Sequence, residues 1–405
     1  MTGDGRFSDC ASSAALPVEE LVSRHLLTGI AYCCPFTGAP SSGEAAIQQL
    51  GEWRALIERN RRLGAVIGIA GWKRTTVTPL LWDGADGPRY ARRVPAKSNR
   101  LVGIWKSRAP KSALAALAAN GQPTAEIEDG FIRSTGLGAD CVPPLSIIVD
   151  ERGIYFDPAG PSDLEDILRD AAFDGALLER AESLRQAIVK GGISKYAAST
   201  RTLPRPAGPR RTVLVPGQVE DDRSVLNGGG EVRSNLDLLR RARAEEPDAY
   251  LIFKPHPDVE AGHRAGHVPV RAALSLADDI VRDTPMSALL DMVDAVHVLT
   301  SLAGFEALMR GKEVITHGTP FYAGWGLTSD RAPIPPRRGQ IRSITELIAG
   351  TLVLYPRYLD FVTRLPCGPE IAIRRISEGL GENHSLLVQA RRVQGRVTKA
   401  LKRLA

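Results

Sequence analysis

The 405-residue sequence predicts an α/β protein built as two Rossmann-like domains facing a cleft. Three observations carry this. The chain is too long for one ordinary domain and long enough for two that each bury a core. Short β-type runs alternate with helix-like stretches along most of it, the pattern of parallel sheets covered by helices. A Pro- and Arg-rich stretch, TRTLPRPAGPRR at 200–211, can continue neither kind of element and divides the alternation in two. The expected division is a lead-in at 1–62, an N-terminal domain at 63–205, a C-terminal domain at 206–360 and closing helices at 361–405.

Residues 1–45 read as irregular, with PFTGAPSSGE as a loop, and 45–62 carry helical periodicity. Strands follow at AVIGIA (65–70), LVGIW (101–105), LSIIVD (145–150) and GIYFD (153–157), with the helix-like KSALAALAAN among them. After the linker, RTVLVP (211–216) leads to a helix over about 234–245, then to AYLIFK (249–254) and DDIVRD. A helix over 286–293, the strand AVHVLT (295–300), a helix over 302–310 and EVITH (313–317) complete the second alternation.

Composition narrows the class. Hydrophobic residues at 43% and charged residues at 24% are the balance of a soluble globular protein. The N-terminus lacks the basic and apolar regions of a secretory signal, so a cytoplasmic protein is expected. No apolar run approaches the roughly 20 residues of a membrane span. Five cysteines form no CxxC pair and have no histidine at ligand spacing, so free thiols and no metal site are expected. No GxGxxG follows a strand and no GxxxxGK[ST] occurs, which disfavours a dinucleotide oxidoreductase or a P-loop NTPase.

The formal charge of +6 is concentrated at the end of the chain. Residues 385–405 hold six basic residues (Arg391, Arg392, Arg396, Lys399, Lys402 and Arg403) and no acid, which leaves the body neutral, so no nucleic-acid partner is expected. Leu386, Ala390, Val393, Val397, Ala400 or Leu401, and Leu404 recur at helical steps. They suit either an amphipathic helix on an anionic membrane surface or one packed on the body.

In open parallel sheets ligands bind beyond the carboxyl ends of strands, and those positions are polar here. After 249–254 stands PHPD, where Lys254, His256 and Pro257 are candidates. A histidine there can donate to a phosphate, and flanking prolines fix its backbone. The alternative is that His256 caps a loop. In TSLAGFE, Thr300 and Ser301 stand at a helix start that favours an anion, with Glu306 further in as a ribose acceptor, or Ser301 is an ordinary N-cap. GQVEDD at 217–222 brings Gln218 and three acids together after a strand, a repulsive cluster unless a cation visits. In IEDGFIRSTGLGAD at 127–140, Glu128 and Asp129 precede a glycine turn, and Arg133 and Ser134 follow. Acids of both domains could face each other as nucleophile and acid/base in glycosyl chemistry. Arg133 could grip a substrate carboxylate or neutralise Asp129.

Seven strings in order, EDGFIRSTGLGAD, PPLSIIVDERGIYFDP, ISKY, VLVPGQVEDDRSV, KPHPDVEAGHR, TSLAGFEAL and PFYAGWGLTSD, make the stretch from Ala65 to Tyr358 resemble the bacterial capsule β-Kdo transferases, the KpsC-type capsular polysaccharide proteins. The resemblance implies a GT-B glycosyltransferase that moves Kdo from CMP-β-Kdo with retention to a Kdo-terminated glycolipid, without a metal. It implies Asp222 as nucleophile and Glu128 of the EDG motif as acid/base. It further implies His256 and Pro257 at the CMP phosphate and base, and Ser301 and Glu306 at phosphate and ribose. Such family members carry two modules in tandem, and this chain resembles the second alone. The rival reading is a GT-B epimerase, which would take a UDP-sugar, or a silent capsule assembly factor.

Overall fold

The computed structural model describes residues 6–9, 12–132, 142–193, 204–206, 208, 210–262 and 264–379. The 385–405 segment, Arg133, Ser134 and half of the 200–211 linker lie outside the described residues. Two large sheets organise the rest. The first runs β13-β12-β5-β4-β3-β1-β2, with β1 (Leu63–Ile67), β2 (Arg89–Tyr90), β3 (Leu101–Ile104), β4 (Thr124–Asp129), β5 (Ser146–Asp150), β12 (Arg357–Leu359) and β13 (Pro366–Cys367). Strands β1 to β4 are parallel, and β5, β12 and β13 are added antiparallel.

The second sheet runs β8-β7-β6-β9-β10-β11 and is parallel throughout. Its strands are β6 (Thr212–Pro216), β7 (Tyr250–Lys254), β8 (Asp279–Ile280), β9 (Ala295–Val298), β10 (Glu313–Thr316) and β11 (Ser329–Asp330). The order reverses between β6 and β9, which opens a crevice at their carboxyl ends. Strand β6 is buried at all five positions and reads TVLVP, the continuous apolar run of a strand covered on both faces.

Past the second sheet the chain returns, and β12 pairs with β5, so the end of the 206–360 stretch is built into the first sheet. One apolar cluster runs between the sheets and includes Phe131, Ile148 and Ile188 with Leu214, Val296 and Phe305. Among the described residues no helix is long and apolar enough to cross a membrane.

The strand reading of GIYFD is corrected. GIYFD at 153–157 forms no strand, because buried Asp150 gathers the loop: its Oδ1 accepts from Arg152 N at 2.9 Å, Gly153 N at 2.8 Å and Asp163 N at 3.1 Å. Ile154 and Phe156 enter the core from that loop instead. Residues 124–129 form a central strand, with Ala125 and Ile127 packed on one face and Glu126 and Glu128 on the other. The stretch 1–45 also holds paired segments, Arg6–Asp9 with Ser12–Pro17 and Tyr32–Cys33 with Pro40–Ser41.

Candidate active site

The carboxyl ends of β4 and β6 meet. Glu126 and Glu128 sit at i and i+2 on β4, so both carboxylates leave one face, while Asp129 turns to the other. Arg223, one residue past Asp222, reaches across. Its Nη1 lies 2.5 Å from Glu126 Oε1 and 3.7 Å from Glu128 Oε2. Its guanidinium rests 4.9 Å above the Phe156 ring, and Asn227 Nδ2 donates to Asp157 Oδ2 at 3.0 Å nearby. The loop that carries Asp222 is therefore tied to the end of β4 that carries Glu128 through the side chain of Arg223.

Charge is closely matched. Glu126, with 2% of its side chain exposed, also meets Lys106 Nζ at 2.5 Å. Asp129 Oδ1 accepts from Lys73 Nζ at 2.8 Å, and that ammonium sits 3.6 Å from the Trp105 ring centroid. Burial, then the neighbouring Asp129, pushes the Glu128 carboxyl up to about 7, and Lys73 and Arg223 pull against it. A carboxyl near 7 can both take and give a proton at neutral pH.

The acidic string 220–222 is not the mutually repelling cluster its sequence suggests, because each acid has its own partner. Glu220 Oε1 accepts from Asn235 N at 2.7 Å, and Asp221 pairs with Arg264 at 3.1 Å. Asp222 precedes the short helix Arg223–Gly228, and its Oδ1 accepts from Ser224 N at 3.0 Å and Ser224 Oγ at 2.8 Å. Anchoring one oxygen fixes the direction of the other.

At the crevice between β6 and β9, Gln218 ties the two loops. Its Nε2 donates to Thr300 Oγ1 at 2.9 Å and its Oε1 accepts from Thr300 N at 3.0 Å. Gln218 thus orients Thr300. Ser301 caps the helix Leu302–Met309, its Oγ accepting from Ala303 N at 3.2 Å. A methyl at Gly304 in that helix would overlap the Tyr322 hydroxyl, which donates to Ser301 O at 2.5 Å, so the helix start is held at close approach. Glu306, 5% exposed, faces a small cavity with Phe131, Ile132 and Leu302.

His256 does cap a short helix, Pro257–Glu260, with Nδ1 accepting from Asp258 N at 3.2 Å. That bond places the proton of the neutral ring on Nε2, the nitrogen able to donate to an anion. Pro257 is exposed beside it. Lys254 is buried and donates to Arg282 O at 3.0 Å, and burial lowers its ammonium against the pull of Asp283. The structure therefore engages Lys254 and Gln218 in protein contacts, while His256 and Pro257 follow β7 and Thr300 and Ser301 follow β9, the two strands that flank β6.

A separate cluster joins the second sheet, through buried His297 and His317, to exposed Glu245 at the end of the helix Asn235–Glu245. Glu245, His297 and His317 bring ligand-type atoms within 4.8 Å of one another. His297 Nδ1 lies 2.9 Å from His317 Nε2, and the ring centroids are 5.2 Å apart, close to that distance plus two ring radii. The two nitrogens thus point at each other, the geometry of a shared N–H···N bond rather than of two lone pairs converging on an ion. Burial lowers His297 to about 3 and His317 to about 4.

Lys73, Lys106, Glu126 and Arg223 were not singled out from the sequence. Arg223 adjoins the EDD string, and Lys73 follows a strand end in GWK; that adjacency is the only signal they carry.

A family model described as capsule polysaccharide biosynthesis protein matches residues 101–202 and 183–358. The capsule polysaccharide modification protein LipA of Neisseria meningitidis serogroup B is 38% identical over 345 residues, 82% of this chain and 49% of LipA. The lipopolysaccharide-processing protein LpsZ of Rhizobium meliloti is 46% identical over 240 residues, 58% of this chain and 54% of LpsZ. The chain thus spans about half the length of the curated relatives it matches. Among solved structures, the β-Kdo 2,4 transferase of Thermosulfurimonas dismutans KpsC has a TM-score of 0.67 at 32% identity, covering 77% of this chain and 98% of that one. The β-Kdo 2,7 transferase of the same KpsC has 0.63 at 31%, covering 78% and 99%. The chain belongs to the capsule polysaccharide biosynthesis family and is a capsule protein of the KpsC type.

Proposed function

We propose that this chain is a retaining GT-B glycosyltransferase that moves Kdo from CMP-β-Kdo to a Kdo-terminated, lipid-linked acceptor without a metal. The observation that carries it is that Arg223, the residue after Asp222, reaches from the loop after β6 to Glu126 and Glu128 near the carboxyl end of β4, which brings the two acid-bearing motifs to one place. The identity of about a third to the two KpsC Kdo transferases supports the sugar.

In this reading the donor lies over the β6/β9 crevice. His256 Nε2 and the Ser301 hydroxyl hold the phosphate, Pro257 offers a flat face to the base, and Glu306 takes the ribose; Lys254 and Gln218 shape the loops. Arg133 and Ser134 of the EDG segment meet the sugar carboxylate. The Asp222 carboxylate attacks the anomeric carbon, a C–O bond to the enzyme forms and the bond to CMP breaks, CMP leaving with the electron pair. An acceptor hydroxyl then attacks the glycosyl ester, Glu128 takes its proton, and Asp222 departs as carboxylate. Two inversions leave the configuration retained. The C-terminal basic segment places the enzyme at the inner face of a membrane, where a lipid-linked acceptor is reached.

Incubation with CMP-Kdo generated in situ and a synthetic Kdo-terminated lipid analogue, read by product mass and by the anomeric configuration of the new linkage, tests the reaction. No product, or tighter binding of UDP than of CMP, would favour the epimerase reading.

A further inference from the structure

We propose that the edge of the first sheet formed by the carboxyl ends of β1, β2 and β3 is a binding surface for a carboxylated sugar chain, the acidic glycan of the acceptor. The proposal rests on the transferase reading for the ligand's identity and on the following geometry for its place. From Arg89 to Ala125 the sequence holds eight basic residues and no acidic one, although the chain before residue 385 carries equal numbers of each. The fold sorts these cations by edge. Arg100 Nη2 donates to Leu63 O at the start of β1, so it belongs to the opposite edge. Arg92 and Arg93 follow the end of β2, Arg108 and Lys111 follow the end of β3, and Arg74 follows the end of β1; all five are exposed. Among the described residues none of the five forms an ion pair with an acid.

The three loops make one surface. Ala91 N donates to Val66 O and Trp105 N to Ile67 O, each at 2.9 Å. The Arg74 guanidinium lies 4.4 Å over the Tyr90 ring, and Lys73 bridges the Trp105 ring and Asp129. The surface abuts the candidate base, since Lys106 of the β3 loop pairs with Glu126, two residues before Glu128 on β4. Acids on this edge are already matched, Glu126 by Lys106 and Arg223 and Asp129 by Lys73, which leaves the outer cations to a ligand.

The spacing identifies the ligand's class. Strands β2, β1 and β3 are neighbours, so the ends of β2 and β3 stand about 10 Å apart by strand spacing, with Arg92 and Arg93 in the loop beyond one and Arg108 in the loop beyond the other. A lone phosphate wants donors converging on one point. Cations strung along an edge suit a chain that repeats a carboxylate on successive units, and guanidinium groups match carboxylates in pairs. Such a surface would give a growing acidic glycan affinity without fixing its length.

The test is equilibrium binding, which needs no turnover. The probe is a Kdo disaccharide glycoside, as free acid and as methyl ester, with Arg92→Ala/Arg93→Ala/Arg108→Ala and the matching triple lysine variant. The free acid is expected to bind the alanine variant at least tenfold more weakly and the lysine variant within about threefold of wild type. Salt raised from about 50 to about 300 mM should weaken wild type toward the alanine variant. The ester should bind all three alike and poorly, and CMP affinity should be the same in all three, which reports an intact fold. Unchanged free-acid affinity, equal loss for the ester, or a loss seen only in sedimentation with phosphatidylglycerol vesicles would overturn the proposal, the last by making the edge a membrane contact. Acid-dependent binding without any Kdo transfer by wild type would refute the transferase reading and leave this surface standing.

Discussion

Replacing Arg223 by Gln should move the pH dependence of transfer rather than merely lower it. Its Nη1 stands 3.7 Å from Glu128 Oε2, where a lone cation in a partly screened site would contribute about 4 kcal/mol at an effective dielectric near 20. Most of that does not reach Glu128, because the same nitrogen lies closer, at 2.5 Å, to Glu126. Burial and Asp129 also outweigh it in setting the carboxyl near 7. A net effect of about one pKa unit, or about 1.4 kcal/mol, is what remains. Loss of the cation favours the neutral acid, so the pKa rises. If Glu128 must be ionised to take the acceptor proton, the acid limb of kcat/KM moves from about 7 to about 8, rate at pH 7 falls about fivefold, and most of it returns above pH 9. Arg223→Lys, which keeps the charge, should leave the limb near the wild-type position. A limb that stays in place in the Gln variant, or a loss equal at every pH, would refute the electrostatic role and leave Arg223 only as a tie between the sheets.

Other outcomes follow from the same geometry. Glu128→Gln should abolish most transfer yet raise stability at pH 8 by roughly 1–3 kcal/mol in chemical denaturation: a folded-state pKa above the unfolded one makes ionisation costly as pH rises from 4.5 through 7, and Gln removes that cost. An unchanged midpoint would mean the carboxyl is not desolvated. His256→Ala should weaken CMP binding and transfer together, tenfold or more by calorimetry and rate; equal affinity would leave His256 as a helix cap alone. The His297/His317 pair should make folding acid-sensitive. Both folded-state values lie below the unfolded 6.5, so stability present at pH 7 is lost as pH falls toward 4, by about 3 kcal/mol for each histidine. Glu246 lies 3.7 Å from His297 Nε2, and Glu245, Arg211, Arg241 and Arg331 also act on the pair. His317→Gln should flatten that slope in thermal melts at pH 4.5 to 7, and an identical slope would refute the assignment.

The second sheet was legible in the sequence almost strand for strand, because strands such as TVLVP and AVHV are buried on both faces and read as apolar runs. The first sheet was less so. Strand β4 carries Glu126, Glu128 and Asp129 in six residues, and nothing local says that Lys73, Lys106 and Arg223 neutralise them from distant positions. GIYFD has the composition of a strand, but Asp150 bends it into a loop through hydrogen bonds that composition does not encode. Of the site, the motif positions after strands were visible, since a parallel sheet gathers its carboxyl ends. The links among them were not. Gln218 clamps Thr300 and Lys254 donates to Arg282 O, contacts that the sequence does not announce because a side chain's partner depends on which loops the fold places within its reach.

The central claim is that Asp222 carries Kdo between donor and acceptor. Glu128→Gln, lacking the base for the second step, is incubated with CMP-Kdo in the absence of acceptor, and the intact protein and its peptides are weighed. The account predicts a gain of one Kdo residue on the peptide that contains Asp222, and no gain in Glu128→Gln/Asp222→Asn. A labelled peptide elsewhere, or wild-type transfer rates retained by Asp222→Asn, would contradict it.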